Sequence, residues 1–102
     1  MLAVVILYTH PEQVSEFERR YVEEYVPLIR RLPGVTEVTI QRVVGAPLGD
    51  PAYMRMETWR LRPGVTPETL LVSAEWRAAQ EVLRFARGLS TMMVVEEEAM
   101  SG

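Results

Sequence analysis

Cysteine, lysine and asparagine are absent from this chain, and histidine and aspartate occur once each, as His10 and Asp50. Without cysteine there is no disulfide, no thiolate nucleophile, no cysteine-ligated zinc and no iron–sulfur cluster. Without lysine there is no Schiff base. One histidine and one aspartate supply neither a His-x-x-x-His pair nor an aspartate cluster, so no metal site is expected. All 11 basic residues are arginines, the net charge is −3, and the arginines are scattered among acids. No electrostatic footprint for nucleic acid results. The lack of asparagine and scarcity of glutamine suit a heat-adapted source, although a GC-rich genome produces the same bias.

What is present describes one globular unit. A length of 102 residues with 48% hydrophobic and 25% charged residues argues for a single domain spanning residues 1–102 and against intrinsic disorder. A chain of this size buries only somewhat over ~60% of its unfolded surface, which makes association a natural source of further stability. The opening run Leu2–Tyr8 is too short to span a bilayer and has no basic leader. It is read as a first strand of a cytoplasmic protein, with no membrane contact expected.

Val14, Phe17, Tyr21, Tyr25, Leu28 and Leu32 recur at steps of three and four, the stripe of an amphipathic helix. Thr9 with Glu12, or Ser15 with Glu18, offers the capping box. Pro27 lies inside the pattern and has no N–H for the carbonyl of Glu23, which predicts a kink beside Tyr25. Pro33-Gly34 ends the helix. Val35–Val44 reads as strand two, with Val38, Ile40 and Val44 on one face, and Gly45–Pro51 as a loop. Tyr53–Leu61 reads as strand three. Thr66-Pro67 starts a short helix, Ser73 restarts one that runs to Arg87 and is closed by Gly88, and Leu89–Glu97 is strand four.

The order β-α-β-β-α-β is the ferredoxin-like α+β sandwich, with two helices on one face of an antiparallel sheet. A bare opposite face calls for alternating strands with polar residues outside. Strand one does not alternate, and Thr91-Met-Met-Val-Val95 is apolar on both sides. Something covers that face, and a second copy, forming a two-fold homodimer, is the economical candidate.

Phe17, Tyr21, Pro27-Leu28 and Leu32-Pro33-Gly34, followed by Ser73-Ala-Glu-Trp-Arg-Ala-Ala79, Phe85, Gly88 and a final apolar strand, resemble the EthD family of the dimeric α+β barrel superfamily. The likeness runs from strand one to strand four. It implies a dimeric barrel whose relatives act, without cofactors, as isomerases, dehydratases or oxygenases on aromatic or polyketide-like compounds. At the position of the family's helix-one histidine this chain has Tyr25. A phenol of unperturbed pKa about 10 donates a hydrogen bond where imidazole would exchange a proton near neutrality.

The candidate site residues follow. Tyr25 is the catalytic candidate, as a donor to a carbonyl or enolate, against a plain packed aromatic. His10 is a second catalytic candidate, against an exposed turn residue. Tyr53, Arg55, Glu57 and Trp59 share one face of strand three. Facing the helices, Tyr53, Arg55 and Trp59 would line a substrate pocket with Tyr21 and Tyr25; facing a partner, they would form an interface network. Arg55 and Glu57 are expected to pair locally. Trp76 and Phe85 join the substrate-binding candidates, with core packing as the alternative. Two function classes remain: a cofactor-independent small-molecule enzyme, and a non-catalytic ligand-binding or accessory protein that keeps the pocket. A structural subunit is a third.

Overall fold

A computed structural model describes residues 1–100. Four strands, β1 (Leu2–Tyr8), β2 (Val35–Arg42), β3 (Arg55–Leu61) and β4 (Ser90–Glu96), form one antiparallel sheet in the order β2-β3-β1-β4. The helical segments are α1 (Val14–Arg20), a π-helical turn (Tyr21–Tyr25), α2 (Val26–Ile29), α3 (Pro67–Leu71) and α4 (Ala74–Val82), followed by a 3₁₀ turn at Arg84–Ala86. This is the ferredoxin-like α+β arrangement expected from the element order. The ladder between β2 and β3 stops at Arg42 and Arg55, each two residues short of the expected end; Val43 N–H donates once more to the Met54 carbonyl before the chain departs.

Register sorts the two sheet faces. Val4 and Ile6 stand opposite Trp59 and Glu57 on one side and Val94 and Met92 on the other. Opposed residues share a face, so these all point towards the helices. Ala3, Val5 and Leu7, with Met56, Met93 and Val95, point the other way. The core lies on the helix side, built from Val4, Ile6, Phe17, Tyr21, Tyr25, Ile29, Trp59, Leu61 and Leu70.

Helix one departs from the expected outline in two ways. Neither capping box forms: the N-cap is Gln13, which makes no side-chain cap bond, and the Thr9 hydroxyl donates to the Leu89 carbonyl instead. The irregularity expected at Pro27 is a π turn immediately before it, closed by Val26 N–H donating to the Tyr21 carbonyl five residues back. Proline withholds the donor that would continue the α ladder, and a turn with one extra residue takes up the mismatch. The buried stripe therefore runs Phe17, Tyr21, Tyr25, Ile29 in steps of four, so Ile29 is buried in place of the expected Leu28, while Val14 at the helix start is exposed.

Helix two is shorter than the expected run to Arg87. Ser73 caps α4 by accepting from Trp76 N–H at 3.1 Å, and the α geometry gives way after Val82 to the 3₁₀ turn. Thr66 is the N-cap before Pro67, with its hydroxyl 2.7 Å from that of Thr69.

Gly34, which follows α2, has φ +78, and a Cβ there would sit 2.7 Å from Val65 Cγ2. Gly34→Ala is expected to cost at least ~1–2 kcal/mol from the left-handed backbone alone, plus the displacement of Val65. A denaturant midpoint unchanged from the parent would contradict this.

Candidate functional site

The centre of the helix–sheet interface is polar. Glu57, on β3, is fully buried and its carboxyl receives four donors: Tyr8 Oη at 2.7 Å and Tyr21 Oη at 2.9 Å on Oε1, Tyr25 Oη at 2.8 Å and Trp59 Nε1 at 2.7 Å on Oε2. The elements explain the convergence. Tyr8 stands at the end of β1 on the helix-facing side, and Tyr21 and Tyr25 are the ends of the π turn, whose wider winding stacks their rings at 5.1 Å. Trp59 lies two residues along β3 on the same face as Glu57. The Tyr8 and Tyr25 oxygens are 3.2 Å apart.

Burial pushes the Glu57 carboxyl above the usual carboxylate range, and the four donors pull against that rise by favouring the anion. The phenols of Tyr8, Tyr21 and Tyr25 are all pushed up, first by burial and then by the negative charge of Glu57. The cluster therefore holds its protons on the phenols while the carboxyl is the group that titrates first.

A cavity of about 270 Å³ opens between α4 and β4, above this cluster. Tyr8, Tyr25 and Ile6 belong to its lining, with Trp76, Leu83 and Met92 on the walls and Gln80, Arg84 and Arg87 towards solvent. Of the seven other residues named from the sequence, Trp76 shares this cavity with Tyr25. Tyr21 and Trp59 stand behind it, on Glu57; Trp59 meets Trp76 edge-on at 5.0 Å.

Arg55 does not pair with Glu57 as expected. Its Nε donates to Glu18 Oε2 at 2.9 Å, and its guanidinium lies 4.7 Å over the Tyr21 ring. Glu57 is already occupied by Tyr8, Tyr21, Tyr25 and Trp59, and helix one offers Arg55 the Glu18 carboxylate, so the long-range partner wins. Tyr53 does not share that face: β3 begins at Arg55, and Tyr53 lies in the preceding loop beside a second cavity of about 410 Å³ with Leu7, Arg42 and Met56. Phe85, in the 3₁₀ turn, is half-exposed against Phe17 with Arg20 over its ring, outside the cavity lining. His10 is exposed, its Nε2 2.9 Å from the Pro51 carbonyl, tying the long loop to the start of helix one.

Glu57 is the residue that sequence reasoning undervalued. Its signal was an acid between Arg55 and Trp59 on the core face of a strand, where a buried carboxyl demands several partners. Among the described residues no group of three or more His, Asp or Glu is placed to hold a metal, and no helix is long and apolar enough to cross a membrane.

The fold and the buried carboxyl under an open cleft define an α+β protein of the ferredoxin-like class with a small-molecule-sized cavity on its helix side. Comparison makes that closer: the chain has the fold of the EthD family, matching the crystal structure of an ethyl tert-butyl ether D (EthD) family protein from Bacillus halodurans at a TM-score of 0.87 and 27% identity, over 96% of this chain and 99% of that one. A dimeric ferredoxin-like protein of unknown function from Thermobifida fusca matches at a TM-score of 0.70 and 12% identity, over 92% of this chain and 88% of that one. In sequence, an uncharacterised 11.0 kDa protein of the thcB-thcC intergenic region of Rhodococcus erythropolis is 26% identical over 101 residues, 98% of each chain. No family model matches the chain.

Proposed function

We propose that this protein is a cofactor-independent enzyme that moves a proton on a small organic molecule held between α4 and β4, an isomerase- or dehydratase-like reaction. The observation that carries this reading is Glu57: a fully buried carboxyl whose donors Tyr8 and Tyr25 also line the cavity. With Glu57 ionised, both phenols point their protons inward and present lone pairs to the cavity. An acidic O–H or C–H of a bound molecule then loses its proton to the Tyr25 oxygen as the Tyr25 proton passes to Glu57, and the reverse transfer returns a proton to a different atom of the same molecule. Nothing is gained or lost overall, which fits isomerisation. A carboxyl raised by burial suits such a relay, because the rise makes it a better acceptor for the phenol's proton than an ordinary carboxylate. The EthD resemblance supports the same substrate range, aromatic or polyketide-like compounds.

The second reading is a ligand-binding or accessory protein without catalysis. It is favoured by the completeness of the network, since four donors leave Glu57 satisfied by the chain itself. Tyr25→Phe separates the two. It removes one donor from Glu57 Oε2, which keeps Trp59, and is expected to cost roughly 1–2 kcal/mol of stability. On the enzymatic reading it also abolishes the protein-catalysed excess, over the rate without protein, of solvent-deuterium exchange at a C–H of a phenolic or 1,3-dicarbonyl ligand, while leaving ligand-induced stabilisation within a few-fold. Equal exchange rates in the parent and the variant would leave the binding-protein reading standing.

The assembly belongs to the same proposal: a homodimer formed through the sheet face away from the helices, where Val5, Leu7, Met56, Met93 and Val95 gather.

A further inference from the structure

The cavity has two chemically distinct ends. At the inner end are the Tyr8 and Tyr25 hydroxyls; at the outer end are Gln80, Glu81, Arg84 and Arg87, all exposed. Glu81 is the one acid in the lining, and its Oε2 is 3.6 Å from Arg84 Nη1. Among the described residues Arg87 makes no ion pair. One uncompensated guanidinium thus stands at the mouth of the cleft in a chain whose net charge is −3. Arg42, beside the second cavity, is likewise in no ion pair among the described residues, but the α4–β4 cavity is the one that sets such a guanidinium opposite the buried Tyr8 and Tyr25 hydroxyls, so complementarity to an anion that also carries a hydroxyl favours this end.

We propose that the ligand is a short amphiphilic anion, with a hydroxyl or enol group at the Tyr8–Tyr25 end and a carboxylate, or an anion of similar geometry, at Arg87. This rests on the cavity being the ligand site. The size follows from volume: about 270 Å³ lies just below the ~300–1,000 Å³ typical of ligand pockets, which suits one ring with a short arm. Ile6, Trp76, Leu83 and Met92 supply apolar contact for the ring. Guanidinium suits a carboxylate because its planar fork matches two oxygens.

Calorimetric titration with three probes tests this: 4-hydroxycinnamate, its methyl ester, which removes the charge, and 4-methoxycinnamate, which removes the inner O–H. The acid should bind roughly tenfold more tightly than the ester, the size of one charge-assisted hydrogen bond. That advantage should vanish in Arg87→Gln, an exposed substitution that leaves the core untouched, and shrink with added salt. Equal affinity of acid and ester in the parent overturns the anion site and leaves the cavity reading intact. Equal affinity of hydroxy and methoxy acids leaves the anion site standing and removes the Tyr8–Tyr25 end from ligand recognition. Failure of all three probes to bind overturns both.

Discussion

Glu57→Ala is expected to destabilise the fold by about 3–5 kcal/mol, the range for stripping one partner from a buried charged network. Three phenols and an indole N–H lose their common acceptor, and each buried donor left unpaired costs about 1–3 kcal/mol. The sum is not realised in full because Tyr8 and Tyr25 border the cavity, from which water can reach them. Glu57→Gln keeps the volume and one acceptor oxygen but sets an NH₂ against two of the donors, so it too should destabilise. The titration of Glu57 gives a second signature. Its folded carboxyl is raised above its unfolded value, so the folded state binds the proton more readily. Its contribution to stability is fully present below the unfolded carboxylate range and falls as pH rises through the folded value. Urea unfolding at a series of pH values should show that decline in the parent and its loss in Glu57→Gln. A parent whose stability rises across the same window, or a Glu57→Ala variant within 1 kcal/mol of the parent by the same measure, would show that burial of this carboxyl is not as described.

Val95→Arg is expected to abolish the dimer or drive the protein into aggregates, whereas Val94→Arg should be tolerated. The two residues are neighbours with opposite fates. Val95 stands opposite Ala3 on the sheet face that no helix covers; Val94 stands opposite Val4 on the helix side, at an edge the helices do not reach, and is 52% exposed. A guanidinium at Val95 would have to be buried unpaired among Val5, Leu7 and Met93 of two copies, while one at Val94 stays in water. Light scattering should give twice the 11.7 kDa chain mass for the parent and for Val94→Arg, but not for Val95→Arg. A parent that is monomeric at micromolar concentration would remove the interface from the proposal.

The elements were readable because each rests on local physics. The period-four aromatics, Pro33-Gly34, Thr66-Pro67 and the Ser73 cap act over a few residues, and their structural counterparts lie where that chemistry puts them. The errors fall where a distant group competes with a local one. Arg55 had Glu57 two residues away and took Glu18 from helix one; Thr9 had a capping role available and bonded the Leu89 carbonyl near β4. Tyr53 kept the strand's alternation on paper, but the ladder closes at Arg55 and leaves it in the loop.

Sequence by itself determined the ferredoxin-like order of elements, the stripe carrying Tyr21 and Tyr25, and the chemistry that cannot occur without cysteine or lysine. These follow from composition and from periodicities along one segment. Tertiary structure alone decided that Glu57 is the focus of the buried polar network, that the two faces of β4 divide at Val94 and Val95, and that Tyr8 joins Tyr25 at the cavity. Those facts depend on cross-strand register and on the one-residue widening of helix one, and both are settled by which side chains of separate segments can be buried together with every polar atom paired.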